Sequence, residues 1–224
     1  ASSIIKLNGA DFITIDGSNN GTTSRNLTIS NTSTSATTAA IWLASVSPTN
    51  GATYNTIKNC NVLAGSNSTL TTYGIIIGGA TIGSAGTNND NNTIQNNDIS
   101  KAYVGILATG TTGDMDTLNI IGNSIGATTG NTSSYIGFKG IEVSNTTNSN
   151  ISQNTIYNII TSVTNPIGLS LLSNVTNTSI AKNNITNIQY TGSGGYGGRG
   201  LVLNGVSAAA NININNNVIS GIFG

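Results

Sequence analysis

Charge is what this sequence has least of. Only fourteen of its 224 residues are ionic, seven of each sign, so charged side chains make up 6% of the chain, where roughly 25% is usual for a soluble domain. There is no His, one Cys, one Trp, one Met and two Pro. Each shortage excludes something. Zero net charge with two Arg leaves no basic stripe to neutralise phosphates, which argues against a nucleic-acid partner. Without His, neither a Ser-His-Asp or Cys-His nucleophile system nor a His-ligated metal can be built. A lone Cys60 allows no internal disulfide and no Cys-cluster metal site. No apolar run reaches 18 residues, so no membrane-spanning helix is expected. The first residues, Ala1-Ser2-Ser3-Ile4-Ile5-Lys6, lack the basic-then-apolar pattern of a signal peptide. The expectation is a mature chain or a segment of a longer polypeptide.

What is abundant is Asn, Thr, Ser and Gly, together more than half of the residues, with 31 Ile spread from end to end. Disordered chains lack β-branched apolar residues. Ile and Thr favour a pleated surface, whereas Asn and Gly favour turns. The composition therefore predicts many short strands joined by tight turns.

Two units repeat. Ile-x-x-Asn-x-Ile occurs at Ile94/Asn97/Ile99, Ile120/Asn123/Ile125, Ile151/Asn154/Ile156, Ile180/Asn183/Ile185 and Ile214/Asn217/Ile219, with a variant at Ile57/Cys60/Val62. Gly-Ile-x-apolar and its Leu variant begin at Gly74, Gly105, Gly140, Gly168 and Gly200, with a looser copy at Ala40. The units alternate along the chain after residue 40, at spacings that vary while the units do not, so insertions fall in loops. Short strands stacked on their equivalents bury Ile on Ile, which gives a solenoid of parallel strands with coils about 4.8 Å apart. Six to seven coils would make a rod about 30 Å long, one domain over residues 1–224. The Asn column (Asn97, Asn123, Asn154, Asn183, Asn217) is expected to occupy left-handed turn positions and to form an internal amide ladder, broken at Cys60. Cys60 is read as a buried structural residue.

These motifs, above all Asn91-Asn92-Thr93-Ile94-Gln95-Asn96-Asn97-Asp98-Ile99, resemble the right-handed parallel β-helix repeat of the pectin-lyase-like solenoids. The opening segment 7–18, followed by Ser24-Arg25-Asn26-Leu27-Thr28-Ile29, is similar to the start of β-helix regions in large secreted and cell-surface proteins of Bacteroidota. The resemblance implies an all-β, right-handed, single-stranded parallel β-helix at an extracellular location. Lyases of this kind use Asp-bound calcium with an Arg or Lys base, and hydrolases of this kind use clustered Asp.

Such chemistry needs carboxylates from neighbouring coils gathered on one face. The seven acids, Asp11, Asp16, Asp90, Asp98, Asp114, Asp116 and Glu142, share no repeat column. Asp98 is placed in the Asn turn and Asp90 in a loop. The weak candidates for a cation are Asp114 and Asp116, with Glu142 one coil on. Solvated loop acids are the plainer reading. Arg199, placed in a Gly-rich loop, could meet a carboxylate ligand. The residues flanking the first Ile of each unit are not a Thr ladder, which argues against an ice-binding array, and the seven Tyr share no column.

One column stands out. Period-two alternation points the third residue of Gly-Ile-x-apolar outward: Trp42, Ile76, Leu107, Glu142, Ser170 and Val202. The apolar members Trp42, Ile76, Leu107 and Val202 form a stripe that needs either covering loops or a partner. The leading expectation is a non-catalytic extracellular module: a stalk, spacer or adhesive segment with no cofactor. Its partners would be other domains or copies of the same polypeptide, or a polysaccharide or cell-surface glycan. The alternatives are a carbohydrate-active enzyme or carbohydrate-binding module of the same fold, and a self-assembling filament subunit. With no capping helix visible, the stack is expected to continue or to be capped by another chain.

Overall fold

The computed structural model describes residues 2–112, 114–127, 132–206 and 209–224. The described residues wind through 21 short strands that stack into three parallel sheets of seven strands each, every third strand returning to the same sheet. The described residues include one 3-10 turn, Thr132–Ser134, and none of their helices is long and apolar enough to cross a membrane.

The repeat units map onto the sheets directly. Gly-Ile-x-apolar strands such as Thr72–Gly78 and Lys139–Ser144 form the first sheet. The first Ile of Ile-x-x-Asn-x-Ile lies in the second sheet, where Ile15, Ile57, Ile94, Ile120, Ile151, Ile180 and Ile214 stand in register. The second Ile lies in the third sheet, as the column Ile29, Val62, Ile99, Ile125, Ile156, Ile185 and Ile219. All three sheets contribute to a single continuous core running from Leu7 to Ile188. Burying an Ile side chain stabilises by roughly 1.5–3 kcal/mol, so this stack of columns dominates stability. In the first and seventh coils, which have a neighbour on one side only, the columns are more open: Ile4, Leu27, Ile214 and Ile219 are exposed.

The glycine that precedes the first-sheet Ile has a packing reason. A Cβ on Gly140 would lie 2.5 Å from Ile156 Cγ2 and 2.6 Å from the Gly168 carbonyl oxygen. Gly74, Gly105 and Gly168 likewise meet the third-sheet Ile of their own coil and the glycine carbonyl of the next coil. The third-sheet Ile thus fills the space left by the missing glycine side chain, which couples the two repeat units across the interior.

The turns use left-handed residues in columns. The residue two positions before each second-sheet strand (Phe12, Tyr54, Asn91, Thr117, Asn148, Asn177 and Asn211) has φ between 48° and 59°. A second such column, Asn59, Asn96, Gly122, Gln153, Lys182 and Asn216, has φ between 50° and 66°. This corrects the expected geometry of the Asn column by one position. The ladder residues Asn97, Asn123, Asn154, Asn183 and Asn217 follow the left-handed residue and are not left-handed themselves.

Candidate functional site

The Asn column forms a hydrogen-bonded chain. The Asn123 backbone N–H and Nδ2 donate to Asn154 Oδ1 at 2.9 and 3.1 Å, while its Nδ2 also donates to the Ile94 carbonyl at 2.9 Å. Asn154 repeats this with Asn183 and Ile120, and Asn183 with Asn217 and Ile151. Asn97 donates to Asn123 Oδ1 and to the Ile57 carbonyl. At Cys60 the side-chain relay stops: its backbone N–H still reaches Asn97 Oδ1 at 3.0 Å, but its thiol turns to the Lys58 carbonyl. Cys60 is fully buried, and desolvation, followed by the charge of Asp16, pushes its thiol up to about 11. A second, shorter amide column was not anticipated. Asn92 accepts from the Asn55 N–H at 3.0 Å, and Asn55 reaches back to the Ala10 carbonyl at 2.8 Å. Both stand one residue before a Thr-Ile pair, the signal that could have revealed them.

The acids are engaged locally. Asp11 accepts from the Thr53 N–H and hydroxyl, both at 2.8 Å. Asp16 pairs with Lys58 at 3.2 Å, and its carboxyl is held low chiefly by hydrogen bonds from Asn59 and Ser18. Glu142 forms an ion pair with Lys139. Asp98 begins the strand Asp98–Ser100 rather than lying in the turn before it, and burial raises its carboxyl. The weak cation candidates do come near one another. Asp116 sits close enough to Asp90 and Asp114 for both to raise its carboxyl, after burial as the main cause. Asp90 and Asp114 are committed: Asp90 Oδ1 accepts from the Asp116 N–H at 2.8 Å and Asp114 accepts from the Thr111 hydroxyl, whereas Asp116 Oδ1 is buried without a hydrogen-bond partner among the described residues. Among the described residues no group of three His, Cys, Asp or Glu is arranged to hold a metal ion, and Glu142 lies with Lys139 on the first sheet instead.

The outward column corrects the expected stripe. Lys6, Trp42, Ile76, Leu107, Glu142, Ser170 and Val202 are in register on the outer face of the first sheet. Yet Trp42 and Leu107 are 6% exposed and Ile76 is fully buried; only Val202 is half-exposed. Trp42, Ile76 and Leu107 belong to a second hydrophobic cluster with Tyr73, Val104 and Ile82, flanked by Tyr103 and Phe138. Lys6 closes one side, with Nζ 3.8 Å from the Trp42 ring centroid. The chain therefore covers Trp42, Ile76 and Leu107 itself, and these three offer no open face to a partner. Tyr73 and Val104 stand in register in the first-sheet strands themselves, and Tyr103 and Phe138 each lie two residues before a repeat glycine; because the residue type at these positions changes from coil to coil, the repeat units do not reveal the cover.

The exposed aromatic pair lies elsewhere. Phe12 and Tyr54, on the left-handed turn column of the first two coils, stack with centroids 4.9 Å apart and are both exposed. Beside the first sheet, a groove of about 720 Å³ is lined by Leu70, Tyr103, Ile160 and Val163 among others, and a smaller pocket of about 200 Å³ lies over Ser170.

These features define the class: a three-sheet parallel β-helix with one continuous core and an internal amide ladder. No family model matches the chain, and no curated protein sequence matches it. Among solved structures, the chain is similar to the periplasmic alginate epimerase AlgG at 10% identity and a TM-score of 0.45, covering 97% of this chain and 47% of that one. It is also similar to the Streptococcus pneumoniae surface protein and adhesin PfbA at 12% identity and a TM-score of 0.29, covering 96% and 67%. The chain thus spans about half the length of the epimerase it matches.

Proposed function

We propose that this chain is a non-catalytic, extracellular β-helix module that serves as a rigid spacer or surface-binding segment. The observation that carries the reading is the single core to which all three sheets contribute, joined by the amide ladder that links successive coils at the turn between the second and third sheets. The local pairing of Asp11, Asp16, Asp90 and Glu142 supports it, because side chains tied into turns and strands are poorly placed to gather round a substrate. Partners in this reading are further domains or copies of the same polypeptide, met at the coil ends where Ile214 and Ile219 are exposed. Assembly through Trp42, Ile76 and Leu107 is not part of it, since the chain's own residues cover them.

A second reading, a carbohydrate-binding module, is favoured by the exposed Phe12–Tyr54 pair, since exposed aromatic rings can pack on the apolar face of a sugar. One panel of neutral and acidic polysaccharides, assayed with and without calcium, tests both. The spacer reading expects no new chain ends and no epimerised product. Binding without turnover that is lost in Phe12→Ala and Tyr54→Ala would move the conclusion to the second reading. Turnover of any polymer would overturn both.

A further inference from the structure

The outer face of the first sheet changes character after the fourth coil. Through Trp42, Ile76 and Leu107 the outward column is large and apolar, but it then runs Glu142, Ser170, Val202. The adjacent outward column runs Val104, Lys139, Ile167, Arg199. A serine between bulkier neighbours leaves a depression, and the pocket of about 200 Å³ fills it. Its floor is Ser170 and Ile167, and its walls include Lys139, Arg199, Asn165 and Asn204.

Three observations meet in this pocket. Ser170 is fully buried, and its hydroxyl has no hydrogen-bond partner among the described residues. A buried polar group without a partner carries a desolvation cost that a ligand can relieve. Arg199 begins the strand Arg199–Leu203, which fixes its backbone, rather than lying in the preceding glycine-rich loop; its side chain is exposed at the pocket wall. Lys139 stands two coils away, about 9.6 Å along the stack by the strand spacing, and its charge is already balanced by Glu142. The pocket therefore carries the uncompensated charge of one guanidinium. Its volume equals that of about six or seven waters, enough for one small oxyanion and a few waters.

We propose that this pocket binds a small oxyanion, a carboxylate or sulfate-type group, held by the Arg199 guanidinium with the Ser170 hydroxyl donating from the floor. A guanidinium presents two parallel N–H donors to such a group, a geometry an ammonium lacks. The group can arrive as a free ion or as a substituent of a larger molecule. The inference goes beyond the module reading and stands whether or not the chain has a catalytic activity.

The test is a titration of the whole chain with sodium acetate and with sodium sulfate, followed by amide NMR shifts, against sodium chloride at matched ionic strength. Saturable shifts are expected, confined to the segments that line the pocket, 138–144, 164–172 and 199–204. Arg199→Gln should weaken binding at least tenfold, and Arg199→Lys should weaken it less. Ser170→Val places in this column a residue type that Val202 already supplies; it should abolish binding while thermal stability is kept. Methyl sulfate binding as tightly as sulfate assigns the pocket to a substituent of a larger molecule, and weaker binding assigns it to a free ion. Shifts that do not saturate with either anion, or saturable binding unchanged in Arg199→Gln, would overturn the proposal.

Discussion

At the scale of single residues, the ladder asparagines carry more than their turn. Asn154 accepts two bonds from Asn123 and supplies donors to Asn183 and Ile120. Asn154→Ala would strand buried donors on one side and a carbonyl on the other. Each unsatisfied group costs about 1–3 kcal/mol, so a loss of about 2–4 kcal/mol is expected in the unfolding free energy measured by urea titration, while a loss below about 1 kcal/mol would mean the bonds are dispensable. Cys60 gives a pH-dependent counterpart. Its folded thiol ionises near 11 against an ordinary value of 9.0, so the folded state holds its proton longer than the unfolded chain does. The associated stability is intact below pH 9 and is lost as pH rises through 11. In the folded protein at pH 8, thiol reagents should modify Cys60 only as fast as the chain opens, and at the rate of a free thiol in strong urea. Rapid modification of the folded protein would place the thiol in an open site.

The element scale marks what the sequence made legible and what it did not. The two repeat units identify the strands of all three sheets from the second coil onward, because a columnar core demands the same residue at the same place in each coil. The first coil carries neither unit, and its strands Thr14–Asp16 and Leu27–Ser30 emerge only through register with their neighbours. The left-handed position was misplaced by one residue because Gly122, Gln153 and Lys182 occupy it as readily as Asn does. The burial of Trp42 and Ile76 was out of reach, since Tyr103 and Phe138 precede the repeat glycines in only two coils and Ile82 lies in a loop outside both repeat units. The cost of the glycine column is testable here. In Gly140→Ala the new methyl meets Ile156 and a backbone carbonyl that cannot move alone. Overpacking of this kind costs about 1–3 kcal/mol, and Gly140→Ala/Ile156→Val should recover part of the loss. Full stability in Gly140→Ala would show that the two sheets are not in contact there.

Over the whole molecule, each coil touches mainly its two neighbours, so stability should be graded along the stack rather than uniform. The inner coils are held from both sides, whereas the seventh exposes Ile214, Val218 and Ile219. The few charges follow from the same architecture: the core takes Ile, the turns take Asn and Gly, and the neutral residues between them need no ion pairs to remain in place. The most direct measurement is hydrogen exchange of the asparagine side-chain amides by NMR. The Nδ2 protons of Asn123 and Asn154 should exchange slowest, those of Asn217 much faster, and those of the exposed Asn20 at once. Exchange of Asn123 and Asn154 as fast as Asn20 would contradict the laddered core on which the rigid-module reading rests.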